Sequence, residues 1–145
     1  MKPASNFLIL FFFVFSILTV KSQSTKDLTI CLQRVIDLNA LKDIYTESEK
    51  SGETPIIIIK TDQIPDNLIL FKFGKRVKIL TFDEINTFKQ FYKGSLDSYF
   101  QLKIKPIKED KIEITGSFRK DNPVKLEVLL VKENDTWVVE KSKVN

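Results

Sequence analysis

Any chemistry in this chain has to come from acidic, basic and aromatic side chains, because the sequence has no histidine and one cysteine, Cys31. Histidine is the commonest general base and the commonest zinc ligand. A Ser-His-Asp or Cys-His catalytic site is therefore excluded. The four glycines are spread along the chain and never cluster, which also removes the glycine motifs that bind phosphate.

Three pairs of carboxylates remain as candidates for acid–base chemistry. Such a pair can hydrolyse a glycosidic bond when one partner is kept protonated beside the other. All three lie in predicted turns or at a helix start, where acidic residues have local structural uses. The oxygen-rich spacing of a calcium loop is absent. The pairs are Asp62 with Asp66, Asp83 with Glu84, and Glu109 with Asp110. The sequence predicts no catalytic residue, no metal site and no cofactor.

A basic cluster surrounds Gly74. Four cationic side chains around a tight hairpin would suit a phosphate, an anionic glycan or an acidic protein partner. The alternative is a hairpin whose polar face simply carries lysines, which also protect a sheet edge from pairing with another chain. The members of the cluster are Lys72, Lys75, Arg76 and Lys78, with Phe71 and Phe73 among them.

These side chains would be positioned by a domain whose main sheet is predicted by residue alternation between Ser98 and Val144. Four segments alternate apolar with polar residues, as half-buried strands do, and three short polar turns join them. Short turns make neighbouring strands pair in sequence order. We predict a four-stranded antiparallel meander that forms a curved sheet packed on helices. Gly116 interrupts its second strand and indicates a bulge or a close approach to the backbone.

The apolar face of this sheet supplies a candidate ligand pocket. A small apolar ligand or a peptide would lie between sheet and helix. The side chains predicted to line the pocket are Phe100, Phe118, Leu126 and Trp137. On the opposite face, Leu129 and Val131 interrupt the polar row, and Val138 lies near them on the next strand. The N-terminal helices, a partner or a second copy of the chain would cover this apolar patch, and of these we expect coverage within the chain.

The first half of the domain has the pattern of helices followed by a strand. Apolar residues at helical spacing between Asp27 and Ser48 predict two short helices with a break near Asp37, which would cap the second. Residues 56–59 are consecutive β-branched isoleucines, which favour a strand that is covered on both faces.

A hairpin and a helix are predicted next. The apolar runs 68–73 and 77–80 flank Gly74, which is typical of two short strands joined by a tight turn. Thr81 and Glu84 have the spacing of a capping box, and a helix is expected from there to about Tyr92. The predicted fold class is therefore α+β, with N-terminal helices, a short strand and hairpin, a further helix and the meander.

The first 22 residues are predicted to be a signal peptide. Lys2 precedes the apolar run 7–20, and cleavage is expected before Gln23. At about 14 residues the apolar run is shorter than the roughly 18–20 that span a bilayer. Residues 23–145 would then form a single exported domain, periplasmic or secreted, with membrane contact only through the cleaved peptide.

The net charge and the cysteine content limit which partners and which disulfides the protein can have. Loss of Lys2 and Lys21 with the signal peptide lowers the net charge from +4 to +2, and lysines alternate with glutamates along most segments. A nucleic-acid binder needs a concentrated basic surface, so no nucleic-acid partner is expected. Cys31 allows no internal disulfide. It would be a buried helix residue or, alternatively, form an intermolecular disulfide.

Four stretches of the chain carry a resemblance to known proteins: 64–67, 70–80, Tyr99 with Phe100, and 135–139. Through them the part of the chain between residues 56 and 144 resembles small exported proteins of flavobacteria. The order of elements also resembles the cystatin-like and nuclear-transport-factor-like α+β cone folds, in which a curved sheet wraps a helix. The resemblance implies a compartment and a fold, but no activity. Cone-fold isomerases use an Asp base with a Tyr donor, and no motif for either is matched here.

These observations predict a non-enzymatic exported binding or interaction module for a small apolar ligand or a protein partner. Two alternatives remain. A cone-fold enzyme of the isomerase or dehydratase kind would need an acidic or tyrosine group deep in a pocket with a perturbed pKa. A small inhibitor or assembly protein would act through the hairpin at 71–80 or through a sheet edge.

Overall fold

Helix α1, Thr25–Ile36, opens the part of the chain that the computed structural model describes, residues 24–145. Its start is fixed by Ser24, whose hydroxyl accepts a hydrogen bond from the Asp27 amide at 3.2 Å. Its apolar side is buried, and Cys31 lies there as a free thiol whose pKa burial raises to about 12. The buried-cysteine prediction is confirmed. The predicted signal peptide and its cleavage site lie outside the described residues.

The segment after α1 differs from the predicted second helix. A single 3-10 turn, Asn39–Leu41, comes first, and the next α-helix, α2, spans only Glu47–Lys50. Asp37 ends α1 and does not cap a second helix, so that prediction is wrong. A capping box formed by Thr46 and Glu49 opens α2. Four residues are too few to show helical periodicity, which is why the sequence pattern did not reveal this helix.

Six strands form one mixed sheet, and two more form a separate hairpin. The strands are β1 Ile57–Ile59, β2 Phe71–Lys72, β3 Lys75–Arg76, β4 Lys78–Leu80, β5 Tyr99–Lys108, β6 Lys111–Phe118, β7 Val124–Glu133 and β8 Thr136–Val144. The main sheet has the order β4-β1-β5-β6-β7-β8, and β2 pairs with β3. Strands β5 to β8 pair antiparallel in sequence order, whereas β1 runs parallel to both β4 and β5. The α+β class is confirmed. The predicted four-stranded sheet is part of a larger mixed sheet, because β1 and β4 extend it beyond β5.

The predicted hairpin forms only near its turn. Phe71 pairs with Arg76, and the amide of Val77 donates to the carbonyl of Leu70 at 2.8 Å. Beyond that point the second arm leaves the first, and β4 joins β1 in parallel register. The hairpin prediction is therefore wrong for residues 78–80. The isoleucine run of β1 needs a neighbour on each side, and β4 supplies one of them.

Apolar side chains are buried on both faces of β1. Ile58 belongs to the main core, which lies between α1 and the sheet. Ile57 and Ile59 belong to a second, smaller core with Ile85 and Tyr99. Successive side chains of a strand point to opposite faces, so this division confirms that β1 is covered on both sides.

Helix α3, Phe82–Lys89, lies between β4 and β5 in the chain and contributes Ile85 to the smaller core. The predicted capping box is confirmed, since the Thr81 hydroxyl accepts from the Glu84 amide and the Glu84 carboxylate accepts from the Thr81 amide. The helix ends at Lys89, three residues before the predicted end.

Gly116 is required by a close approach of backbone. A Cβ added at this position would overlap the carbonyl oxygen of Gln101 on β5 and lie 3.0 Å from the Cα of Leu102. The pairing of β5 with β6 keeps its register at Gly116 and shifts only between Pro106 and Lys108. Of the two predicted explanations, the close approach is confirmed and the bulge is wrong.

Candidate functional site

The four residues of the predicted ligand pocket lie together in the main core. Phe100, Phe118, Leu126 and Trp137 are all fully buried. The rings of Phe100 and Phe118 stack with centroids 4.3 Å apart, and Tyr45 meets Phe118 edge-on at 5.5 Å. Neither of the two surface cavities described below is lined by any of the four. A ligand site between them stays a prediction.

The seam between α1 and β8 has a polar network beside Trp137. Arg34 donates to the Trp137 carbonyl at 3.1 Å, and the Lys132 ammonium lies 3.4 Å from the Asp27 carboxylate. Burial alone would raise the pKa of Asp27, but the Trp137 indole N–H and the Lys132 charge outweigh it and lower that pKa. No hydrogen bond of ordinary geometry joins the indole to a partner among residues 24–145. This network joins helix and sheet.

The predicted basic cluster is divided by the fold. The Lys72 ammonium lies 2.7 Å from the Asp37 carboxylate and 5.4 Å from the centre of the Tyr45 ring, facing α1 and its following turn. Lys78 lies 5.2 Å over the ring of Phe88 on α3.

The other two cations of the cluster differ from each other. The stem of Lys75 packs so closely on Gly52 that a Cβ there would lie 2.9 Å from it. Arg76 is exposed and forms no ion pair with any described residue. The four cations therefore do not form one anion site. Among the described residues Lys75, Arg76 and Lys78 form no ion pair, and of these Arg76 and Lys78 line the groove beside β4.

A buried ion pair that the sequence did not predict joins α2 to the turn after β6. Glu49 is 1% exposed, and its two carboxylate oxygens accept from the Arg119 guanidinium at 3.2 and 3.1 Å. Arg119 also donates to the Ile44 carbonyl at 2.7 Å and to the Ser98 hydroxyl. Its backbone has φ +79°, an unusual value for a residue with a side chain. The spacing of Thr46 and Glu49 was a possible sequence signal for one partner, but nothing marked Arg119.

Tyr45 is the other buried polar group in this region. Its hydroxyl donates to the Ile36 carbonyl at 2.8 Å, and burial raises the pKa of its phenol above the ordinary range. An enzyme of the cone-fold kind would need a buried acidic or tyrosine side chain in a pocket. Glu49 and Tyr45 are buried side chains of these two types. Both have intramolecular partners, and neither lines the two cavities described here. Their arrangement stabilises the packing of the helical region on the sheet.

In two of the three candidate carboxylate pairs, one carboxylate has a structural role. Asp66 accepts from the Lys60 ammonium at 2.8 Å, and Glu84 completes the capping box of α3. The backbone carbonyl of Asp110 accepts from the Lys132 amide at 2.8 Å in the β5–β6 turn. In the part of the chain that the structure describes, no three His, Cys, Asp or Glu side chains come together as a possible metal site.

Exposed large apolar side chains concentrate at the β4 end of the sheet. Of the seven that are exposed among residues 24–145, six lie between positions 69 and 91. They are Ile69, Phe71, Phe73, Phe82, Phe88 and Phe91, with exposures from 36% for Phe73 to 83% for Phe91. The hairpin lies on the α1 side of the sheet, where Phe71 is hydrogen-bonded to Gln33, and α3 lies on the other side, over the smaller core. We define the β4 surface as the exposed side chains of residues 69–91 on these two sides, which belong to the hairpin β2–β3, strand β4 and helix α3.

The hairpin turn keeps Phe73 in an unusual conformation. Phe73 and Gly74 have φ of +52° and +74°, as a two-residue hairpin turn requires at both central positions. Asn, Asp or Gly normally occupy such positions, because a side-chain-bearing residue there is disfavoured. The ring of Phe73 packs edge-on against Tyr45 with centroids 5.2 Å apart, and the Lys72 ammonium lies 5.0 Å from it. These contacts offset the unfavourable backbone conformation.

Two surface cavities lie on the sheet, one at the β4 edge and one over β1, β5 and β6. The β4 groove, of about 280 Å³, is lined by Asp66, Leu68, Arg76, Val77, Lys78, Ile79 and Leu80. The second cavity, of about 250 Å³, lies beside Gly116 and is lined mainly by the polar row of β5 and the end of β1.

The apolar patch at the far end of the sheet is not covered as expected. Leu129, Val131 and Val138 are half-buried, and none of them packs on either core. Helix α1 lies on the face that carries Leu130 and Trp137, which is the opposite face. The expectation that the N-terminal helices cover this patch is wrong for the helices that the structure describes.

No protein family, curated protein or solved structure matches this chain. None of the helices within residues 24–145 has the length and apolar character that crossing a membrane needs. The resemblance to exported proteins and to cone folds stays an expectation that depends on the residues quoted for it.

Proposed function

We propose that the protein is a non-enzymatic exported interaction module that binds another protein through its β4 surface. The observation that carries this proposal is the concentration of six of the seven exposed large apolar side chains of residues 24–145 between positions 69 and 91. Exposed phenylalanines on both sides of an edge strand offer apolar surface that a partner protein can cover. Export, to the periplasm or the outside of the cell, is supported by the apolar run 7–20 after Lys2.

The composition of the β4 surface supports a protein partner. Aromatic and arginine side chains are the usual energetic anchors of protein interfaces. Here Phe71 and Phe91 are exposed on the two sides of β4 in the chain, and Arg76 has no ion-pair partner among the described residues. The buried polar groups Tyr45 and Glu49 are satisfied within the chain, which speaks against their use in catalysis.

Site-directed photo-crosslinking tests the proposal. A benzophenone amino acid replaces Phe71 or Phe91 in the protein made by its own cells, and as a control it replaces the exposed Lys143 on β8. We expect a discrete adduct with another protein from the first two positions and none from Lys143. The same adducts from all three positions, or no adduct from Phe71 and Phe91, would overturn the proposal.

A further inference from the structure

The outer edge of β4 carries backbone groups that the sheet leaves unpaired. β4 is the last strand on its side of the sheet. The Lys78 amide donates to the Ile56 carbonyl at 2.9 Å, and the Leu80 carbonyl accepts from the Lys60 amide at 2.9 Å. Alternate residues of a parallel strand face the same neighbour. The amide and the carbonyl of Ile79 therefore point away from β1, toward solvent.

The β4 groove lies beside this edge because the two arms of the hairpin separate. The arms are joined through Leu70 and Val77, and β4 then turns to β1. If the hairpin register continued, Leu68 would be the partner of Ile79. Leu68 and Ile79 instead both line a groove of about 280 Å³. The groove occupies the place that a further strand would take.

The side chains that line the groove carry a net positive charge. Asp66 is neutralised by the Lys60 ammonium at 2.8 Å. Arg76 and Lys78 both line the groove, and neither forms an ion pair with any residue between 24 and 145. The Lys78 ammonium lies 5.2 Å over the Phe88 ring of α3, so Arg76 is the cation whose charged group has no such contact. A planar guanidinium binds a carboxylate through two parallel hydrogen bonds. The ligand that fits the groove therefore carries an acidic side chain near Arg76.

We propose that the β4 groove binds an extended, acidic peptide segment of a partner protein, which pairs with β4 through the Ile79 amide and carbonyl and places a carboxylate against Arg76. Addition of a strand to a sheet edge is an established mode of peptide recognition, in which the backbone gives affinity and side-chain contacts give specificity. The proposal rests on the proposed function and adds to it a peptide chemistry and a docking edge.

The short length of β4 fits selective pairing. Proteins keep sheet edges short and place lysines beside them to prevent pairing with any available strand. β4 has three residues, of which Lys78 is one. An edge of that length offers few hydrogen bonds, so a peptide also needs the contact with Arg76 to bind.

Peptide display tests this proposal with defined variants. Random eight-residue peptides displayed on phage are selected on the purified protein, and the selected peptides are then synthesised and titrated. We expect enrichment of Asp or Glu at one position, and a loss of affinity of about tenfold or more in Arg76→Glu. Lys75→Glu is the matched control, since Lys75 is the neighbouring cation of β3 and does not line the groove. Equal losses in both variants, or selection of peptides without acidic residues, would overturn the proposal.

Hydrogen exchange followed by NMR tests the backbone part separately and needs no variant. A bound peptide should slow exchange of the Ile79 amide at least about tenfold, and change that of Lys78 much less because its amide already has a partner. An unchanged Ile79 amide in the saturated complex would rule out edge pairing. A dimer of this chain that forms at the same edge and is lost in Arg76→Glu would also overturn the proposal. Adducts from Phe71 and Phe91 without these effects would leave the proposed function intact and remove only the peptide mode.

Discussion

The two ends of the six-stranded sheet use large apolar side chains in opposite ways. At the β5–β8 end, long strands alternate apolar with polar residues over most of their length, and Phe118 and Trp137 are fully buried. At the β4 end, strands of two or three residues are flanked by exposed phenylalanines, and Phe73 occupies a disfavoured backbone region. One end supplies the stability of the fold. The other end keeps apolar surface in solvent, and that surface is available for binding.

The largest difference is expected between one phenylalanine from each end. Phe118→Ala should lower the free energy of unfolding by about 3–5 kcal/mol, because it leaves a cavity in a filled core. Phe91→Ala should change it by less than about 0.5 kcal/mol, because Phe91 is exposed. Urea denaturation followed by tryptophan fluorescence measures both. If Phe91→Ala destabilised the protein as much as Phe118→Ala, the β4 surface would be part of the core and not a binding surface.

Two glycines, Gly116 at the β5–β8 end and Gly74 at the β4 end, are expected to differ in how much a substitution by alanine lowers the free energy of unfolding. Gly116→Ala should cost at least about 3 kcal/mol, since the added methyl group overlaps the backbone of β5, which cannot move aside without breaking the sheet. Gly74→Ala should cost about 1–2 kcal/mol, because only the positive φ opposes it and no atom lies within 4 Å of the added group. Similar losses in the two variants would show that the close approach at Gly116 relaxes easily.

Local patterns were sufficient to predict the stable end of the molecule. The antiparallel pairing of β5 to β8 follows from alternation and short turns, and the α3 capping box follows from Thr81 and Glu84. The parallel pairing of β1 with β4 and β5 was not predicted, because partners in a parallel pair are chosen by contacts between distant segments. A strand of three residues also has too few positions to show its period.

The candidate site was less predictable than the fold. The basic residues near Gly74 were predicted as one cluster. In the structure Lys72 forms an ion pair with Asp37, and Lys78 packs on the ring of Phe88. Both contacts join segments that are distant in the chain or belong to another element, so spacing alone does not reveal them. Apolar residues recur at helical spacing in α3, at Phe82, Ile85 and Phe88, and this spacing is typical of a buried helix side. The exposure of the two phenylalanines could not be predicted from it, because exposure depends on the small core beneath the helix, to which α3 contributes only Ile85.

The next largest effect on the free energy of unfolding is expected at the buried ion pair of Glu49 with Arg119. Glu49→Gln should lower the free energy of unfolding by about 2–3 kcal/mol, because it leaves the Arg119 charge without a counter-charge. The cost is below that of a fully buried pair, since the Arg119 side chain is 20% exposed. Glu47→Gln, in an exposed pair with Lys50, should cost less than about 0.5 kcal/mol. Thermal unfolding monitored by circular dichroism checks both, and equal shifts would show that the buried pair is no more stabilising than the surface one.

The smallest effect is expected from the ion pair of Asp27 with Lys132, at the end of the sheet that is built for stability. The folded-state pKa of Asp27 is lowered, so its contribution is complete above the unfolded-state pKa of about 4 and is lost as the pH falls through the lower folded value. The stability difference between the protein and Asp27→Asn should therefore be constant from about pH 7 to pH 5 and shrink below about pH 4. Its size should stay below about 1 kcal/mol, because both side chains are partly exposed.

Urea midpoints at a series of pH values measure this difference, and Lys132→Met should reduce the pH dependence because it removes the opposing charge. Asp66→Asn provides the comparison at the β4 end. The pKa of Asp66 is also lowered, by its hydrogen bond with Lys60, but that pair is open to solvent and should contribute less to stability. If Asp66→Asn showed the larger pH-dependent loss, the exposed end would be contributing to stability, and the division of the sheet into a stabilising end and a binding end would fail.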